Sequence, residues 1–139
     1  MPRIAIVNDL PEVVTIVAAL LTKGERQFLT QIGATEYTVQ RLKAFDPLVL
    51  VLPLVRKVES LDRPLRRFDA DIEGGKLLEL IAQEADLRRR PCVLLGFSVR
   101  QSDVPEALKA AFEDLHFLEF PLGLQEINPL LSAYLGPAR

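Results

Sequence analysis

Three short runs, Ile4–Val7, Leu48–Leu52 and Cys92–Leu95, are apolar at every position. A strand with one wet face alternates apolar and polar residues. A strand with no alternation is covered on both faces, as in a parallel sheet between layers of helix. Phe117–Phe120 is a fourth run, and Gln27–Ile32 a fifth, more polar and so expected at an edge. Helical patterns separate them. Pro11–Lys23 carries Val13, Val14, Ile16, Val17, Leu20 and Leu21, with Asp9 as the expected N-cap, Pro11 near the first turn and Gly24 as a stop. Thr35–Ala44, Gly75–Ala85, Asp103–Leu115 and Gln125–Leu135 follow, the last with Pro129 inside it. Strand and helix therefore alternate five times. That order predicts a doubly wound α/β fold with right-handed crossovers, and ligands outside the carboxyl ends of the strands.

The 139 residues suit one domain, 1–139. About 120 residues suffice for the five βα units, and the surplus falls largely in one connection after the third strand, an extended loop at about 54–73. Net charge is −2, which gives no electrostatic pull toward nucleic acid or an anionic membrane. No apolar run approaches the roughly 20 residues of a membrane-spanning helix, and no signal-peptide pattern opens the chain. A cytoplasmic protein is expected. The single cysteine, Cys92, sits in an apolar run and reads as a core residue, which excludes disulfides and cysteine metal clusters.

Motifs for small-molecule chemistry are sparse. Neither G-x-G-x-x-G after a strand nor G-x-x-x-x-G-K-[ST] occurs. Ser98 has no nucleophile-elbow context, and His116, the sole histidine, reads as a surface residue. Arg88-Arg89-Arg90 closes a helix whose carbonyl end favours cations. In the long loop Arg56, Lys57, Arg63, Arg66 and Arg67 balance Glu59, Asp62, Asp69, Asp71 and Glu73. Within it Arg63-Pro64-Leu65-Arg66-Arg67-Phe68 is the expected partner-binding segment. Its arginines are joined by Leu65 and Phe68 as apolar anchors, a mixture that suits interface hot spots.

The residues at the strand ends carry a resemblance. Ile6-Val7-Asn8-Asp9-Leu10-Pro11, Ile32-Gly33-Ala34-Thr35-Glu36, Pro47-Leu48-Val49-Leu50-Val51-Leu52, Arg90-Pro91-Cys92-Val93-Leu94-Leu95 and Phe120-Pro121-Leu122 occur in the order of the response-regulator receiver domain. Nearly the whole chain except the segment after Pro53 resembles that family. The resemblance implies a flavodoxin-like (βα)5 sheet of five parallel strands in the order 2-1-3-4-5. It also implies a chemistry of five side chains. Two acids after the first strand hold Mg²⁺, which wants hard oxygen ligands. An Asp after the third strand accepts the phosphoryl group as a nucleophile. A Thr or Ser after the fourth strand and a Lys before the last Pro bind the phosphoryl oxygens.

This chain departs from the pattern at nearly every position. Asn8 replaces the first acid and leaves Asp9, at most a weak metal ligand. Pro53 stands at the acceptor, Gly96 at the hydroxyl residue and Phe120 at the lysine. Phe120, with Pro53 and Gly96, is expected to turn a polar pocket into a drier, apolar one. The expected function is a pseudo-receiver: a signalling module, not an enzyme, without cofactor or bound metal, acting on a protein partner or as a homodimer. Because the chain ends soon after the fifth helix, it is expected to stand alone, with no output domain. The alternative is a small-molecule sensor using the modified strand-end pocket at Asn8, Pro53, Gly96 and Phe120.

Overall fold

The computed structural model describes residues 3–21, 27–32, 36–120 and 124–136. The elements are β1 (Arg3–Asn8), α1 (Pro11–Leu20), β2 (Gln27–Ile32), α2 (Glu36–Phe45), β3 (Val49–Arg56), α3 (Phe68–Asp71), β4 (Ile72–Glu73), α4 (Gly75–Ala82), α5 (Ala85–Arg88), β5 (Cys92–Phe97), α6 (Glu106–Ala111), β6 (Leu115–Glu119) and α7 (Ile127–Leu135). Five strands run parallel in the order β2-β1-β3-β5-β6. Counted without the two-residue β4, this is the expected 2-1-3-4-5. The polar strand Gln27–Ile32 is indeed an edge. The stop at Gly24, the helix start at Thr35, Gly33-Ala34 and Pro121-Leu122 fall outside the described residues.

The reason for the unbroken apolar runs is visible in their parity. Ile4, Ile6, Val49, Val51, Val93 and Leu95 pack with Val14 and Val17 of α1 and Ile127 and Leu131 of α7. The intervening Ala5, Val7, Leu50, Leu52, Cys92 and Leu94 pack on the other face with Val39 and Leu42 of α2 and Leu77, Leu78 and Ile81 of α4. Each strand feeds two cores at once, so neither face tolerates a polar residue. Cys92 is fully buried, and burial pushes its thiol far above the ordinary range, so it is inert.

Three expectations about element boundaries are corrected. The long connection is structured: β3 continues through Arg56, a 3-10 turn covers Val58–Ser60, and α3 and β4 follow. β4 returns antiparallel along β3, pairing Val55 with Glu73 and Arg56 with Ile72. Hydrophobic periodicity is too short-ranged to reveal elements of two to four residues. The helix expected over Asp103–Leu115 is a 3-10 turn at Gln101–Asp103 and a short α6, with Pro105 between them and Leu115 already in β6. Asp9 is not the N-cap of α1. Leu10 holds that position without a side-chain cap, and the Asp9 carboxylate points elsewhere. Pro129 falls in the first turn of α7, where a missing N–H costs no helical hydrogen bond.

Candidate functional site

The carboxyl ends of the strands form two unlike halves. On the β1 side stands Asn8, at 0% exposure. Its Nδ2 donates to the Pro53 carbonyl at 2.6 Å and to the Glu73 carbonyl at 3.3 Å, while its Oδ1 accepts from the Leu10 N–H at 2.8 Å. One amide thus closes the turn into α1 and ties β1 to both β3 and β4. An ionised Asp here would accept the Leu10 bond but set its charge against two carbonyl oxygens.

Pro53 was expected just after the third strand. Instead it lies inside β3, opposite Leu95 of β5. A proline is tolerated there because the β1–β3 ladder ends at the pair Ile6–Val51. A strand residue's N–H and C=O point to the same neighbour, and the Pro53 carbonyl faces Asn8. Its missing N–H therefore falls on a side where no ladder remains. Gly74 completes the closure. Its φ of +93° is a left-handed conformation, and a Cβ there would lie 2.6 Å from the Pro53 oxygen and 2.9 Å from Asn8 Nδ2. The Gly74 N–H donates to the Asp9 carboxylate at 2.9 Å, which is the bond that takes Asp9 away from capping α1. Glu73 follows β3 on this side; burial first, and then the neighbouring Asp9 carboxylate, raise its pKa against the pull of Lys57. Among the described residues no group of three or more His, Cys, Asp or Glu side chains is placed to hold a metal.

On the β5–β6 side the strand ends are open. A cleft of about 530 Å³ is lined by Arg56, Leu61, Gly96, Ser98, Val99, Arg100, Ser102, Asp103, Glu119 and Phe120. The expected apolar pocket is therefore corrected: charged and hydroxyl side chains dominate this one. Gly96, expected after the fourth strand, is within β5. A Cβ on it would meet the Val99 oxygen at 2.2 Å and Phe117 Cζ at 2.8 Å, so no hydroxyl residue fits without moving the loop above it. That loop turns at Ser98, whose φ of +58° is uncommon outside glycine. Phe120 is 44% exposed and stacks on Phe97 at 4.8 Å. Its N–H continues the ladder to the Gly96 carbonyl at 2.8 Å.

The expected partner-binding segment is mostly engaged with itself. Arg63 makes a two-pronged ion pair with Asp71, at 3.0 and 2.7 Å. The Arg66 and Arg67 N–H groups donate to the same carboxylate. These bonds, the Arg63 guanidinium first, hold the Asp71 carboxyl well below the usual carboxylate range. Arg67 pairs with Asp69 at 2.8 Å. Phe68 is buried in the core, and Leu65 packs against it. Their role as exposed anchors is corrected, because the short α3 turns this edge of the segment inward. Arg66 and Arg67 remain outward. Exposed apolar side chains nearby are instead Val58 and Leu61.

His116, expected at the surface, is half-buried, with Nε2 2.8 Å from Asp114. It also bonds the Tyr134 hydroxyl, which donates to Asp114 at 2.7 Å. These bonds join β6 to α7. Burial and then Asp114 raise the Tyr134 pKa to about 12, so the phenol stays protonated. Sequence reasoning took Arg56 only as one of the loop's balanced charges and missed Gly74, Arg100 and Ser102 as site residues. The pair Gly74-Gly75 was the only local signal for one of them; the others owe their place to β3 running past Pro53 and to the fold of the β5–α6 loop.

No family model and no curated protein matches the chain. Solved structures do. A sensor protein from Polaromonas sp. JS666 is 16% identical over 96% of this chain and 95% of its own, with a TM-score of 0.65. The chemotaxis protein CheY4 of Vibrio cholerae is 12% identical over 97% and 99%, at 0.64. The N-terminal domain of a response regulator receiver protein from Methanoculleus marisnigri JR1 is 20% identical over 96% and 95%, at 0.56. Likeness at such identities speaks for architecture alone, and it agrees with the strand order and the two-sided helical cover: the chain has the fold of a response-regulator receiver domain.

Proposed function

We propose that this chain is a receiver-like signalling module that does not take up a phosphoryl group and acts through contact with a protein partner or a second copy of itself. The observation that carries the reading is the 2.6 Å bond from Asn8 to the Pro53 carbonyl, roofed by Gly74. It fills the place where the resemblance implies an acid facing the acceptor. Proline offers no nucleophile. Phe120 brings no charge to a phosphoryl oxygen. Asp9 alone is a poor site for Mg²⁺, and its carboxylate is already engaged by the Gly74 N–H. The module is taken to be non-enzymatic. No helix among the described residues is long and apolar enough to cross a membrane. A cytoplasmic location belongs to the proposal, as does the lack of a nucleic-acid role, which is supported by the net charge of −2. Arg66 and Arg67, with Val58 and Leu61 nearby, are the partner-facing candidates.

The test is incubation with acetyl phosphate, or with beryllofluoride, in the presence of Mg²⁺. The expected outcome is no added phosphoryl mass and no saturable change in amide chemical shifts around Asn8 and Pro53. Stoichiometric addition of a phosphoryl group, or a saturable change centred on Asn8 and Pro53, would overturn the reading. A second reading, ligand sensing at the strand ends, is supported by the open cleft beside Gly96 and Phe120; Asn8 and Pro53 do not line that cleft.

A further inference from the structure

One cation of the cleft, Arg56, has no ion-pair partner among the described residues. Arg56 is half-buried. Of the five N–H donors of its guanidinium, one is spent on the Arg63 carbonyl, and its buried Nε has no hydrogen-bond partner. No carboxylate among the described residues forms an ion pair with it, as is also true of Arg100 in the same cleft. The Nε is sealed from solvent, so an oxyanion in the cleft would meet the terminal N–H groups of this partly desolvated guanidinium through charge-assisted bonds.

The surroundings favour a small ligand over a bare ion. The volume of about 530 Å³ lies within the range of small-molecule sites. Arg100 lines the same cleft, with the Ser98 and Ser102 side chains. Ser98 is held at positive φ, and such strained residues cluster at ligand clamps. Phe120 presents a part-exposed ring, backed by Phe97, as an apolar wall. Two acids also line the cleft. Asp103 is occupied by the Arg100 N–H at 2.8 Å, whereas Glu119 is exposed and repels a second anionic group. The lining thus carries two arginines and two acids, and Glu119 disfavours a second anionic group.

We propose that this cleft binds a small organic anion with a single carboxylate or phosphate-ester head, which pairs with Arg56, and an apolar or planar body, which lies against Phe120. The inference rests on the ligand-sensing reading and gives it a chemical class.

The experiment is titration of the full chain with phenyl phosphate, benzoate and phenol, followed by amide and guanidinium NMR shifts. One or both anions are expected to saturate with shifts at Arg56, Gly96, Ser98 and Phe120, at least tenfold more tightly than phenol. Comparing phenyl phosphate with benzoate separates a phosphate-ester site from a carboxylate site. Arg56→Gln is expected to weaken the better anion about tenfold or more. Because Arg56 also bonds Arg63, Phe120→Ala supplies a second test on an exposed side chain. It is expected to weaken phenyl phosphate several-fold while leaving inorganic phosphate unchanged. Saturable binding in the cleft that is equal for phenol and the anions, or unaffected in both variants, would overturn the anion assignment and leave the sensing reading standing. Shifts that never saturate, or that fall away from the cleft for all three probes, would overturn both.

Discussion

The two halves of the strand-end edge are built on the same sheet and reach opposite outcomes. Around Asn8 the chain closes on itself: a side-chain amide, a proline carbonyl, a left-handed glycine and the returning strand β4 are bonded or packed against one another. Around Gly96 the backbone is packed as tightly, yet the side chains above it stand apart and leave a cleft. The difference lies in what covers the strand ends. β4 follows β3 and brings its own backbone over Pro53, whereas the loop after β5 turns at Ser98 and runs through a 3-10 turn into α6, with Phe120 at the end of β6 beside it. A fold that places its site at strand ends can silence one half of it by rerouting a connection, without disturbing the two cores beneath.

The sharpest way to break this contrast is Gly74→Ala. The added Cβ is strained at φ +93° and overlaps the Pro53 oxygen, so a loss of roughly 2–4 kcal/mol in urea denaturation is expected. A loss below 0.5 kcal/mol would show that the roof over Pro53 is loose. Asn8→Asp comes next, at about 2–3 kcal/mol near neutral pH, because a donor is lost and a charge is set against two carbonyls. The new carboxyl would have its pKa raised in the folded state. Its protonated form is then the stabilised one, so the deficit should shrink as pH falls toward the unfolded value of about 4. A deficit independent of pH would contradict the buried geometry.

Asp71→Asn tests the brace outside the closed half, and its effect should appear in the shape of the pH profile. Asp71 has a depressed folded pKa. Its contribution is fully present above the unfolded pKa of about 4 and is lost as pH falls through the folded value. The urea midpoint of the parent should therefore decline in that acid window, and the variant should lack that part of the decline. Phe120→Ala is the smallest effect, at about 0.5–1 kcal/mol or less, since the lost stacking partner is part-exposed. A larger loss would mean that the open half is as integral to the core as the closed one.

Much of the fold was legible because burial on both faces leaves a plain mark in sequence. Ile4–Val7 or Leu50–Leu52 cannot alternate when each residue feeds a different core. The polar edge strand was readable for the converse reason. The candidate site was legible as a set of departures at Asn8, Pro53, Gly96 and Phe120, but not as a geometry. Pro53 was misplaced by a few residues because a proline usually ends a strand; here the strand survives it, since the β1 ladder has already stopped. Phe68 looked like an anchor for a partner because an aromatic among arginines gives no hint of which way a four-residue helix will turn.

The sequence by itself determined the doubly wound sheet, because apolar patterning is a local property; the strand order came with the resemblance carried by the strand-end residues. Only the tertiary structure decided that the first half of the strand-end edge is closed and the second open. That outcome depends on backbone groups far apart in the chain, Asn8 with Pro53 and Gly74, or Arg56 facing Ser98 and Phe120. Which of them meet is fixed by the path of one connection and not by the residues alone.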